Sequence, residues 1–217
     1  MPSLLSLLQQ LLQRLYGVEV EESIDDYVIS DARLAHILRG GPSEAPEELL
    51  VHEEDDTLEL SLYLAPELLA RVDRGRPLER LEGRDVNAFC TVLEGVSHFL
   101  YLLSRARAER RVTRLELELQ AEIDKYAVLG YLLRAQRQGT LPAWLPRWLF
   151  EAVRYRADLA ADERTRYVTA NAYARRYCRR LQSRYQWAWN GRALQAELRR
   201  FHAFGQAEKL RYINRLA

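Results

Sequence analysis

The sequence predicts an α+β fold in which helices predominate, and three observations carry that reading. Leucines recur at helical spacing from the first residues onward. Two short segments between residues 48 and 64 read as strands, the second with clean apolar–polar alternation. From Asp85 on, long runs carry the 3.6-residue period with recognisable starts and stops. The expected architecture is a small antiparallel sheet in the N-terminal half, a long helical hairpin, and a helical C-terminal part. One domain over 1–217 is expected, with 1–138 an acidic α+β part and 139–217 a basic helical part.

Leu4, Leu5, Leu8, Leu11, Leu12 and Leu15 lie on one helical face, and Gly17 ends the helix. Tyr27, Val28 and Ile29 form a β-leaning cluster. Asp31 caps a short helix, ARLAHILR, which stops at Gly40-Gly41. ELLVHEED and TLELSLYL read as two strands joined at Asp55-Asp56, and Pro66 opens the helix PELLARVDRG.

Asp85 is the expected cap of the apolar helix DVNAFCTVLEGVSHFLYLLSRA. Thr113 and Glu116 have capping-box spacing, so 113–138 reads as a second long helix. The alternation of Leu115, Leu117 and Leu119 with Glu116, Glu118 and Gln120 leaves a strand over 112–119 as the competing reading. A kinked junction is expected from Gly139 to Pro146, followed by a helix over 148–161. A long helix capped by Asp162 then runs to the break at Asn190-Gly191, and two helices split at Gly205 close the chain.

Composition sets bounds on class. At 48% hydrophobic and 29% charged residues, the 217-residue chain is that of an ordinary folded protein with a full core. Cys90 and Cys178 have no partner cysteine at ligand spacing and read as small buried hydrophobes. The N-terminus lacks a basic segment, and Gln9, Gln10 and Gln13 interrupt its apolar run, so no signal peptide is expected. No stretch of 18 apolar residues occurs, so neither a membrane span nor a membrane partner is expected, and a reducing cytoplasm is the expected compartment.

The net charge of +1 hides a polarity. Residues 1–125 hold 14 basic against 25 acidic side chains, whereas residues 126–217 hold 18 against 6. Such asymmetry points to an anionic partner for the basic part, or to the two halves neutralising each other. The basic charge concentrates at Arg175, Arg176, Arg179, Arg180 and Arg184, interleaved with aromatic residues that include Tyr177 and Trp187. Like charges one helical turn apart repel unless an anion compensates. Guanidinium groups fit phosphate bidentately, and aromatic rings can stack on bases. Glu21, Glu22, Asp25 and Asp26 are the candidate internal partners.

A second constellation lies on the hairpin. Asn87, Thr91, Glu94, His98 and Tyr101 form a polar but weakly charged stripe, and Glu118, Glu122 and Lys125 form another. Glu116, Gln120 and Asp124 occupy the far side of the second helix, so at most one of its two stripes can face open water. If the helices pack antiparallel, Glu94 and His98 meet Glu118 and Glu122. Carboxylates and imidazole on facing helices hold Mg, Mn or Fe, or furnish a general base. The plain alternative is that Glu118 or Glu122 pairs with Lys125 or Arg105, with no cofactor involved.

There is no G-x-x-x-x-G-K-[ST], G-x-G-x-x-G, G-x-S-x-G, H-E-x-x-H or paired C-x-x-C, which disfavours nucleotide-driven, Rossmann, α/β-hydrolase and zinc-ribbon chemistry. Three function classes follow. The leading expectation is a non-catalytic adaptor whose arginine-rich helix contacts an acidic protein, with nucleic acid as the alternative. The second is a metal-dependent hydrolase centred on Glu94, His98, Glu118 and Glu122. The third is a structural subunit that self-associates through its leucine-faced N-terminal helix.

Overall fold

The computed structural model describes residues 2–55, 57–137, 139, 141–185 and 191–215. Helix α1 (Leu4–Tyr16) is capped by the Ser3 hydroxyl, which accepts from the Ser6 amide at 3.0 Å. Gly17 ends it in the left-handed region (φ 67°), where its N–H reaches the Gln13 carbonyl at 2.7 Å. Leu5, Leu8, Leu12 and Tyr16 are buried against α4 and α8, so the leucine face is covered within the monomer. The glutamines that interrupt the apolar run brace the next loop. Gln9 donates to the Glu22 carbonyl and accepts from the Ile24 amide, and Gln13 donates to the Val20 carbonyl.

A 3-10 turn (Ile24–Asp26) leads into the two-residue strand β1 (Val28–Ile29), then α2 (Ala32–Arg39), β2 (Glu47–Glu54), β3 (Thr57–Leu64) and α3 (Pro66–Gly75). The sheet order is β1-β3-β2. β2 and β3 pair antiparallel from Glu47↔Leu64 to Glu54↔Thr57, but β1 runs parallel to β3 at Val28↔Leu62 and Ile29↔Tyr63. The sheet is therefore mixed, not wholly antiparallel. The intervening α2 and β2 supply the crossover that a parallel pair needs.

Helix α4 (Val86–Ala106) runs through the centre of the fold, and Phe89, Val92, Leu93, Val96 and Phe99 are fully buried. It is long and apolar enough to cross a bilayer, but 72% of its most apolar window is buried inside the protein. Asp85 precedes it without capping it. The carboxylate is engaged by Arg71 (3.4 Å) and Arg84 (3.5 Å) instead.

Helix α5 (Arg114–Gln136) begins where Thr113 accepts from the Glu116 amide at 3.1 Å, so residues 114–119 are helical, not strand. The cap and the helix-forming Leu, Glu and Gln outweigh the alternation.

Helix α6 (Trp144–Phe150) stops short of the expected 148–161 span. The Arg147 carbonyl takes both the Glu151 and Ala152 amides, and residues 151–154 are exposed, so no apolar face holds further turns. Asp162 lies in the first turn of α7 (Ala161–Tyr185) and does not cap it; the Glu163 carboxylate accepts from the Ala160 amide at 3.2 Å. Helices α8 (Arg192–Ala203) and α9 (Gln206–Asn214) follow, divided at Gly205, whose amide donates to Glu208. The principal core is continuous from Leu5 to Ile213, with a smaller cluster of Ala35, Leu50 and Tyr63 under α2.

Candidate functional site

Helix α5 carries two buried polar stripes, and neither faces water. On one side, Glu118, Glu122 and Lys125 meet Glu94 and His98 of α4, as the antiparallel packing of the hairpin predicts. Lys125 Nζ lies 2.6 Å from Glu122 Oε1 and 3.3 Å from Glu94 Oε2. His98 Nε2 lies 3.7 Å from Glu118 Oε2, and Nδ1 lies 3.6 Å from Glu47 Oε1. Both distances suit ion pairs but exceed hydrogen-bond length. The predicted Lys125–Glu122 pair is present, whereas Arg105 turns to Glu116 on the other side of α5.

Sequence reasoning missed three members. Glu47 enters from the first residue of β2, and Arg166 from α7, where its Nε is 3.8 Å from Glu118 Oε1. Tyr167 faces the same carboxylates, which together with burial raise its hydroxyl pKa. One signal for the sheet's approach lies in the sequence: Gly95 in mid-helix between Glu94 and Val96. A Cβ there would sit 2.9 Å from Leu62 Cδ1 and 3.0 Å from Glu47 Cγ, so a larger residue would push those side chains of the sheet out of place. Nothing comparable marked Arg166.

The charges are strongly coupled. Burial favours the neutral acid at Glu118 and, with the neighbouring Glu94 and Glu47 adding to it against the help of His98, gives a pKa of about 7. Burial likewise raises Glu47 and Glu122. Glu94 is lowered in spite of burial, because Lys125 and His98 stabilise its charge. His98 is itself raised to about 9, burial notwithstanding, by Glu47 and Glu118. Four carboxylates thus face two permanent cations, Lys125 and Arg166. The raised pKa of His98 adds a third positive charge at neutral pH, a proton that a metal binding at Nε2 would displace.

Three of its atoms are buried without a hydrogen-bond partner: Glu47 Oε1, His98 Nε2 and Arg166 Nε. Buried polar atoms are nearly always satisfied, so three orphans in one side-chain cluster single it out. Ligand atoms of Glu94, His98 and Glu118 all lie within 4.8 Å of one another. Two ligands on one divalent ion sit roughly 3–4 Å apart, so small side-chain rotations would bring the set onto a single ion.

The opposite stripe is a contrasting case. Asp124 accepts from Ser97 (2.6 Å), Gln120 (2.8 Å) and the Tyr16 hydroxyl. Lys209, wholly buried, donates to Tyr101 (2.8 Å) and Gln120 (2.7 Å). Arg105 donates to Tyr101 and to the Phe204 and Ala203 carbonyls. Tyr101 thus belongs here and not with Glu94 and His98. Apart from Arg105 Nε, this network satisfies itself and ties α1, α4, α5 and α9 together.

The arginine-rich helix is partly neutralised. Arg175 pairs with Glu151 at 2.6 Å, and Arg176 donates to Asn214 at 3.1 Å. Arg176, Arg179, Arg180 and Arg184 are exposed and, among the described residues, have no carboxylate partner. The anticipated acidic partners are elsewhere: Glu22 pairs with Arg107, and Asp25 accepts from Ser3 and Ser6. Tyr177 is withdrawn from this surface. It is fully buried, stacked on Phe201 at 4.0 Å and donating to Glu197, because its turn of α7 faces α8 and α9. Trp187 lies outside the described residues.

Comparison with protein-family models, curated proteins and solved structures finds no match for this chain. Its function is therefore read from its own geometry.

Proposed function

We propose that this chain is a metal-dependent hydrolase whose centre is the buried Glu94, His98 and Glu118 set between α4 and α5. The observation that carries the reading is the buried His98 Nε2, orphaned within ligand reach of the Glu94 and Glu118 carboxylates. A divalent ion there would bind Nε2, while Nδ1–H faces Glu47, the arrangement in which a carboxylate fixes the ligand tautomer. Mostly oxygen donors with one imidazole favour Mn or Fe(II) over Zn, with Mg the weaker fit. Such an ion supplies a polarised water and a Lewis acid. Arg166 beside Glu118 and Lys125 beside Glu94 then stand where negative charge developing on a substrate would be stabilised.

Metal analysis of purified protein and a Mn(II) thermal-shift titration test this. Binding at 100 times Kd stabilises by about 2.7 kcal/mol. The shift is expected in the wild type and lost in His98→Gln and Glu118→Gln. No bound metal and no shift with Mn, Fe(II) or Mg would end the proposal.

A second reading rests on a separate observation, the exposed Arg176, Arg179, Arg180 and Arg184 on α7. They support contact with an anionic partner, an acidic protein surface or nucleic acid. For nucleic acid, affinity should fall steeply as salt rises, since neutralised phosphates release counterions. A salt-independent titration, or none at all, removes that version.

A further inference from the structure

The arginines of α7 and the carboxylate centre share a wall. A cleft of about 420 Å3 opens beside α7, lined by Phe150, Tyr155, Asn171, Arg175, Arg176 and Arg179 among others. Asn171 is buried at its base, donating to the Leu149 carbonyl at 3.1 Å, and its amide also faces the Glu122 carboxylate. Tyr155, half-buried, comes near enough to Glu122 and Lys125 to feel both charges. The cleft is therefore the region of the described surface that abuts the centre on its Glu122–Lys125 side.

The charged side chains that line it are all guanidinium groups, whereas carboxylates gather at the centre. Three guanidinium groups line it, and one carboxylate, Glu151, takes up one of them. Arg175 and Arg179 are one turn apart, as are Arg176 and Arg179 at three residues' spacing, so their mutual repulsion is relieved by an anion. A planar guanidinium offers two parallel donors to adjacent oxygens of a phosphate, a geometry lysine cannot present. Phe150 and Val168 supply an apolar side to the same cleft.

Resting on the hydrolase reading, we infer that this cleft takes the phosphate group of a phosphorylated small-molecule substrate, with Arg175, Arg176 and Arg179 as its ligands and Asn171 and Tyr155 at the passage toward the centre. The carboxylates of the centre suit a cation and the guanidinium groups of the cleft suit a phosphate, so cleft and centre are complementary halves of one site.

The test uses full-length protein, inorganic phosphate as probe and Mn(II) as a separate probe. Phosphate is expected to raise Tm, with sulfate weaker and chloride at equal ionic strength inert. Arg175→Gln and Arg179→Gln should each weaken phosphate binding about tenfold while leaving the Mn(II) shift intact. Glu118→Gln should do the reverse. Phosphate stabilisation that is absent, matched by chloride, or unchanged in both arginine variants overturns the cleft assignment. Loss of the Mn(II) response alone, with phosphate binding retained, would remove the metal centre and leave the phosphate site standing.

Discussion

Asp124 and Lys125 are consecutive in α5, yet their side chains enter separate buried networks on either side of the helix. Lys125 reaches Glu122 and Glu94, and Asp124 reaches Ser97 and, from α1, Tyr16. The roughly 100° between neighbouring residues of a helix makes this possible only when both flanks are covered by other elements. The two networks differ in completeness. The Asp124 side is almost fully hydrogen-bonded, as a structural strut should be, whereas the Lys125 side leaves buried atoms orphaned.

Removing Lys125 should destabilise the fold more than a surface ion pair would. Its ammonium holds two carboxylates that are themselves largely buried. Breaking a buried pair from one side costs about 3–5 kcal/mol, because the remaining charge is uncompensated. Lys125→Met is expected in that range by urea denaturation. Adding Glu122→Gln should restore part of the loss, and a purely additive double variant would show that the pair does not interact.

Gly95→Ala should cost stability even though alanine is the better helix former. Alanine gains about 1 kcal/mol of helix propensity, against about 1–3 kcal/mol for overpacking a core contact. The new methyl group would press on Leu62, which is fully buried, and on Glu47. A net loss of about 1 kcal/mol with a weakened Mn(II) response is expected. A stabilised variant would mean that the sheet has room to retreat.

Lys209 makes a pH prediction with a definite sign. Burial, with Arg105 adding, holds its pKa at about 7, well below the usual 10.5. Below pH 7 both folded and unfolded states carry the proton, and the cost of burying the charge is present in full. Between pH 7 and 10.5 the unfolded state binds more protons, so stability rises with pH, by up to about 1.4 kcal/mol per unit. The gain is complete above 10.5. His98 titrates with the opposite sign, its stabilisation being lost as pH rises through about 9. The measurement is therefore the difference between wild type and Lys209→Met, in which His98 cancels. A difference flat from pH 7 to 10 would mean that Lys209 stays charged in the fold.

Leu12→Ala should lower stability by about 2–5 kcal/mol, the range for emptying a well-packed site. Leu12 is fully buried on the inner face of α1 with Leu8. Because this face is spent on α4 and α8, the mass seen by light scattering should not change. A change in mass with little loss of stability would revive self-association through α1.

Much of the candidate site could be read in advance. Glu94, His98, Glu118, Glu122 and Lys125 fall at helical spacing on two consecutive long helices, and a hairpin must bring such stripes together. Glu47 and Arg166 could not be read that way. They come from a strand some 50 residues upstream and a helix some 50 residues downstream, and local periodicity says nothing about which distant element closes over a stripe. Tyr177 was misplaced for a related reason. An aromatic among arginines suits an exposed stacking surface and an amphipathic helix's buried face equally well, until the packing of α8 and α9 chooses.

The amino-acid order alone determined where most helices and strands lie, α6 being the exception, because caps, glycine stops and apolar spacing act within a few residues. It also determined that α5 carries two polar stripes. Only the tertiary structure decided that both are buried, that the sheet packs on α4 at Gly95 and brings Glu47 to one of them, and that four arginines of α7 stay exposed with no carboxylate partner among the described residues. Those outcomes depend on which charges come within a few ångströms across the fold, and desolvation and Coulomb energies are set by that three-dimensional proximity, not by separation along the chain.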